Sequence, residues 1–169
     1  MNDIKANEQD EIGFEIKRPV QLHRGKKRQY VRLEIEAPIT FARIDLDRPL
    51  EDLETHQIEG SILNISGGGV LIDSHEPVAE GEYLAMSFEL RDYEMVSGVV
   101  GRVQRLDDDG EEGCLMGIEF CEERELISVF GEANVGARLA SFDERVKRTI
   151  LKYIFDRKVA ERLNKGENE

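Results

Sequence analysis

The sequence predicts a mainly β fold, a small antiparallel barrel or sandwich, followed by helices. Three observations carry that expectation. Short segments of alternating apolar and polar residues recur between Leu33 and Phe120, glycine- and aspartate-rich turn text separates them, and helical spacing replaces the alternation after Phe120. The 169 residues suffice for one domain with a real core and are too few for two ordinary domains and a linker. Residues 1–22 read as an N-terminal arm, 23–165 as the domain with its C-terminal helices, and 166–169 as a flexible tail.

The first element after the arm is a charge anomaly. His23 to Arg32 reads HRGKKRQYVR and holds Arg24, Lys26, Lys27, Arg28 and Arg32 with no acid among them. In RLEIEA, Leu33 and Ile35 alternate with Glu34 and Glu36, and ITFARIDL resumes the alternation after Pro38, giving either a strand pair or one bent strand. HQIEGSIL then enters the turn text NISGGG, and VLIDS leaves it. PVAEGEYLAMSFEL, YEMVSGVVGRVQRL and GCLMGIEF supply three more strands, with DDDGEEG as an acidic hairpin loop between the last two.

EERELISVF has helical spacing, and a second helix follows the glycine-containing interruption from Gly131 to Gly136. Ser141 and Glu144 stand at capping-box spacing at its start, and Val146, Ile150 and Ile154 recur at intervals of four. Leu151, Phe155 and Val159 widen the apolar stripe. Packing against the sheet is the plain reading of this helix; the width of the stripe also leaves room for a homodimer contact.

Acidic residues outnumber basic ones by 36 to 23, for a formal charge of −13, so the average surface repels DNA, RNA and anionic lipid headgroups. No apolar run approaches the ~18 residues of a membrane span, and MNDIKANEQDEIGFEIK lacks a secretory h-region, so a cytoplasmic location without membrane insertion is expected. Cys114 and Cys121 are seven apart near one strand and should point to opposite faces as buried hydrophobes, sharing neither a disulfide nor a metal. His23, His56 and His75 are isolated. Ser66 sits in no nucleophile elbow, and the acids at 107–109, 111 and 112 lack the spacing of a calcium loop. No set of acid, base, nucleophile and metal can be assembled, which points away from an enzyme.

Two motifs remain. Arg28-Gln29-Tyr30-Val31-Arg32 has the form R-x-x-x-R, and Asn64-Ile65-Ser66-Gly67-Gly68-Gly69 has the form [DN]-x-S-x-x-G between two strands. Arg28 and Arg32 lie on the same side of the chain whether it is extended or helical. A guanidinium can bond bidentately to guanine O6 and N7 or to phosphate, and its flat face can stack on a base. Asn64 offers an amide, Ser66 a hydroxyl, and the glycines allow close approach of backbone N–H groups. The plain alternatives are solvated strand-edge charges for the arginines and a tight hairpin turn for the second motif.

In this order and strand context the pair resembles the PilZ domain, a bacterial receptor module for the second messenger cyclic di-GMP. The resemblance spans roughly Lys26 to Phe120, with Gly117-Ile118-Glu119-Phe120 as the expected ending of the last strand. It implies a six-stranded antiparallel PilZ-like β-barrel flanked by helices. It also implies a cyclic di-GMP site at Lys27, Arg28, Arg32, Asn64, Ser66, Gly68 and Gly69, with no catalytic residue, metal or cofactor. Asn64 stands where the family often has aspartate, and Gln29 where some members have another arginine. Lys27, the basic residue before the first motif arginine, favours an intercalated ligand dimer. The expected output is a conformational change, in which a basic segment mobile without ligand closes over it and acts on an unidentified protein effector in motility, exopolysaccharide synthesis, adhesion or virulence. The alternative is a degenerate PilZ-fold adaptor that binds its partner without nucleotide.

Overall fold

The computed structural model describes residues 30–108 and 113–167. Six strands form a closed barrel: β1 (Leu33–Arg43), β2 (Ile58–Ile65), β3 (Gly69–Ser74), β4 (Tyr83–Glu89), β5 (Met95–Asp108) and β6 (Cys114–Phe120). Every pairing is antiparallel, and the order around the wall is β1-β2-β3-β6-β5-β4, with β4 returning to β1. Between the barrel and the sandwich that periodicity left open, the closed ladder decides for the barrel, which has no free sheet edge.

The alternation in the sequence is the alternation of the wall. Ile39, Phe41, Ile62, Ile72, Leu84, Met86, Phe88, Val103, Met116 and Ile118 are buried in one continuous core, while their neighbours along the strands are mostly more exposed. The text around Pro38 forms one strand rather than two. It is bent by a register irregularity between Glu34 and Ala37, and Pro38 precedes Ile39, where pairing with β4 begins. The connection from β1 to β2 contains a 3-10 helix, Leu50–Thr55, that hydrophobic spacing did not mark.

The chain continues into α1 (Glu123–Phe130) and α2 (Glu144–Glu167). Helix α1 packs outside the wall, where Leu126 is buried with Ile44, Val100, Cys121 and Leu139. Tyr83 pins it by donating its hydroxyl to Glu125 Oε2 at 3.0 Å. Cys114 belongs to the barrel core and Cys121 to this outer cluster, so the two thiols do face opposite sides.

Helix α2 extends past residue 166, where a tail was expected to begin. Its start also departs from the expected capping box. Asp143, not Ser141, is the cap: Asp143 Oδ1 accepts the Val146 N–H at 2.9 Å, and the Asp143 carbonyl accepts the Lys147 N–H at 2.9 Å. Phe142 explains the shift. It is buried in a stack on Phe120 with ring centroids 4.6 Å apart, and its N–H donates to the Cys121 carbonyl at 2.8 Å, which anchors the chain outside the helix until the following residue. Ile150, Tyr153 and Ile154 then enter the barrel core cluster, with Val146 packed against it. Tyr153 meets Tyr93 edge-on at 5.5 Å, and the Tyr93 hydroxyl donates to Asp156. The rest of the stripe is uncovered: Leu151, Phe155, Val159 and Leu163, at strict intervals of four, all remain exposed.

Candidate functional site

The β2–β3 hairpin carries the second motif, and Ser66 organises its turn. The Ser66 hydroxyl oxygen accepts the N–H groups of Gly68 (3.1 Å) and Gly69 (3.2 Å), while the Ser66 N–H donates to the Gly69 carbonyl at 2.9 Å. The Phe120 N–H donates to the Gly68 carbonyl at 2.9 Å, tying the turn to the end of β6. The backbone donors of Gly68 and Gly69 are thus engaged by the serine, where the sequence had suggested donors open to a ligand.

Space rather than backbone handedness favours the glycines, most strictly at Gly69. None of Gly67, Gly68 and Gly69 has a positive φ. A Cβ on Gly69 would overlap the Ile118 carbonyl oxygen, and one on Gly67 would come within 2.7 Å of the Tyr30 ring and 2.8 Å of a Leu151 methyl. A Cβ on Gly68 would lie 3.1 Å from the other edge of the Tyr30 ring.

These distances place Tyr30 flat against the turn, and strand register explains why. Leu33 pairs with Ile65, so the residues preceding β1 run antiparallel beside those that follow β2. Arg32 is level with Ser66 in that register, and its side chain is exposed. Asn64 sits half-buried in β2, level with Glu34 on one side and Leu71 on the other. The structure therefore brings together Arg32, Asn64, Ser66, Gly68 and Gly69. Lys27 and Arg28 lie outside the described residues, as do the N-terminal arm and residues 109–112 of the acidic hairpin loop.

Three site-lining residues had no place in the sequence-based set. Tyr30 lies inside the first motif but reads as a spacer there. Lys147 and Leu151 are one turn apart on α2 and so share a face of the helix. Lys147 Nζ stands 5.4 Å from the centre of the Tyr30 ring, and hydrogen bonding to Tyr30 raises its pKa above the ordinary lysine value. Their membership depends on contacts between residues far apart in sequence, Tyr30 with Gly67, Leu151 with Gly67 and Lys147 with Tyr30, for which local patterns give no signal.

The PilZ domain family model matches residues 26–132, more than half of the chain. The chain belongs to the PilZ domain family. PilZ domains have the cyclic di-GMP receptor fold and are typically non-catalytic. Among solved structures, this PilZ chain is similar to the inhibitor of motility MotI/DgrA of Bacillus subtilis, at 20% identity and a TM-score of 0.53, with 81% of this chain and 54% of that one covered. It is similar to Escherichia coli YcgR in complex with c-di-GMP at 11% identity and a TM-score of 0.58, covering 85% of this chain and 51% of that one. The PilZ domain of YcgR with c-di-GMP matches at 13% identity and a TM-score of 0.51, covering 83% and 99% respectively. The chain thus spans about half the length of MotI/DgrA and of the longer YcgR chain, and at these identities the fold is what is shared. A comparison with curated proteins finds no match. Among the described residues, no helix is long and apolar enough to cross a membrane.

Proposed function

We propose that this PilZ chain is a cyclic di-GMP receptor that changes conformation on binding and acts on a protein partner. One observation supports the reading: the register of β1 against β2 sets Tyr30 to Arg32, the described end of the R-x-x-x-R motif, beside the Ser66–Gly69 turn, with Tyr30 packed on Gly67 and Gly68. Two phosphates and two guanines are the ligand's recognisable features. Arg28 and Arg32 supply forked cations for guanine O6 and N7 or for phosphate, and Lys27 adds positive charge. Asn64 offers its amide to a guanine edge. Ser66 shapes the turn, and its hydroxyl, whose oxygen is 3.4 Å from the Gly69 carbonyl oxygen, donates a bond long enough to turn toward a phosphate instead. Gly68 and Gly69 let the turn pack closely under Tyr30 and against the end of β6.

The uncovered Leu151, Phe155, Val159 and Leu163 supply an apolar face for an effector or for a second copy of the chain. The same face would serve an adaptor that ignores nucleotide, so ligand binding must separate the two readings.

Titration calorimetry with cyclic di-GMP, set against GTP and cyclic GMP, is the test. Selective binding of cyclic di-GMP is expected, with Arg32→Ala weakening it by about 1–3 kcal/mol. A ratio near two ligands per protomer supports the intercalated dimer and the role of Lys27; a ratio near one removes that refinement alone. No binding at tens of micromolar transfers the assignment to the adaptor.

A further inference from the structure

We infer that helix α2 forms a wall of the nucleotide site and that Lys147 is a phosphate-binding residue there, an assignment that rests on the cyclic di-GMP reading above. Two independent contacts place the helix at the site. A Leu151 methyl would lie 2.8 Å from a Cβ built on Gly67, and Lys147 Nζ stands over the Tyr30 ring that covers Gly67 and Gly68. Residues 147 and 151 are separated by one helical turn, so a single face of α2 looks onto the motif turn.

Two of the other three lysines of α2 are held by carboxylates on the helix itself. Lys152 Nζ is 2.8 Å from Asp156 Oδ2, and Lys158 Nζ is 4.0 Å from Glu161 Oε1. No described carboxylate comes within 4 Å of Lys147 Nζ, whose neighbour is instead the face of Tyr30. Tyr30 is an uncharged partner, through its ring and its hydrogen bond, and an anion can replace it with a charge-assisted hydrogen bond. The chemistry also divides sensibly between the two cation types. An arginine fork matches the paired acceptors of guanine, whereas a lysine is a point charge suited to a single phosphate oxygen. In a chain of net charge −13, a cation not neutralised by a carboxylate beside the motif turn is where an anionic ligand gains most.

The experiment measures cyclic di-GMP affinity of the full chain by titration calorimetry at two salt concentrations, with Lys147→Gln, Lys147→Arg and Lys158→Gln. Lys158→Gln makes the same change in net charge about three turns farther along the helix, so it controls for the long-range field. Lys147→Gln should weaken binding about tenfold or more and reduce its sensitivity to salt; Lys147→Arg should stay near wild type, and Lys158→Gln should match it. Circular dichroism melting of each variant confirms the fold. Wild-type affinity in a folded Lys147→Gln protein, or an equal loss in Lys158→Gln, overturns the assignment while leaving the receptor reading intact. Absence of binding by the wild type overturns both.

Discussion

Gly69 and Gly68 are adjacent, share the motif turn, and should respond very differently to the addition of one methyl group. At Gly69 the new Cβ falls on the Ile118 carbonyl oxygen, with the Ile118 carbonyl carbon 3.0 Å and Glu119 Cα 3.2 Å away. All three atoms are backbone of β6, and the Gly69 to Glu119 pair opens the β3–β6 ladder that runs to Ser74 and Cys114. Relief requires moving one strand off the other, so the cost is that of an overpacked core, about 1–3 kcal/mol, less about 0.4–1 kcal/mol from the restricted unfolded chain. A net destabilisation of about 1–2 kcal/mol is expected. At Gly68 the nearest atoms belong to the Tyr30 ring, at 3.1 and 3.4 Å, and a side chain at the surface can swing aside. With no positive φ to forbid alanine, Gly68→Ala should lie within about 0.5 kcal/mol of wild type. Urea unfolding followed by circular dichroism reads both as shifts in midpoint at constant slope. A Gly69→Ala protein as stable as Gly68→Ala would refute the claim that close approach of β6 is what requires glycine there.

The helix cap and the barrel wall yield two further predictions. Asp143→Ala should lower stability by about 0.5–2 kcal/mol and Ser141→Ala by much less; the reverse order in chemical denaturation would restore the serine as the cap. Tyr83 has its pKa raised from 10.0 to about 12, first by burial and then by its hydrogen bond to Glu125. The folded state therefore holds this proton more tightly than the unfolded chain, so its contribution to stability is full below pH 10.0 and is lost as pH rises toward about 12. Tyr83→Phe should flatten part of the alkaline fall in unfolding free energy, and identical alkaline slopes for the two proteins would contradict the shift.

The parts of this fold legible in the sequence are those where a local pattern has a single physical solution. A barrel wall has one dry and one wet face, so period two marked β1 to β6 with their neighbouring turns, and opposite facing of Cys114 and Cys121 followed from parity. Periodicity alone left barrel and sandwich open, because closure depends on β1 meeting β4, a pairing that no local window contains, and only the resemblance to the PilZ domain pointed to the barrel. The α2 cap was misplaced because Ser141 and Asp143 are both good caps, and the choice fell to Phe142 docking on Phe120. The triple glycine was expected to bring backbone N–H groups close to a ligand; in the fold those of Gly68 and Gly69 are taken by Ser66, and the strictest demand for glycine is the approach of β6 to Gly69.

That packing links the motif turn to the exposed part of α2. Tyr30 and Leu151 would both meet a Cβ on Gly67, and Leu151 is also the first member of the uncovered series that continues through Phe155, Val159 and Leu163. The opposite side of the same helix is fixed in the barrel core by Ile150, Tyr153 and Ile154. A group that displaces Tyr30 from the glycines therefore changes the environment of Leu151 directly, without requiring the barrel to deform. Close-packed interiors transmit such displacements because neighbouring side chains have few alternative arrangements. The shortest mechanical route from the motif turn to a partner-sized apolar surface thus runs through one aromatic ring, one glycine and one leucine, and it leaves the closed β-sheet intact.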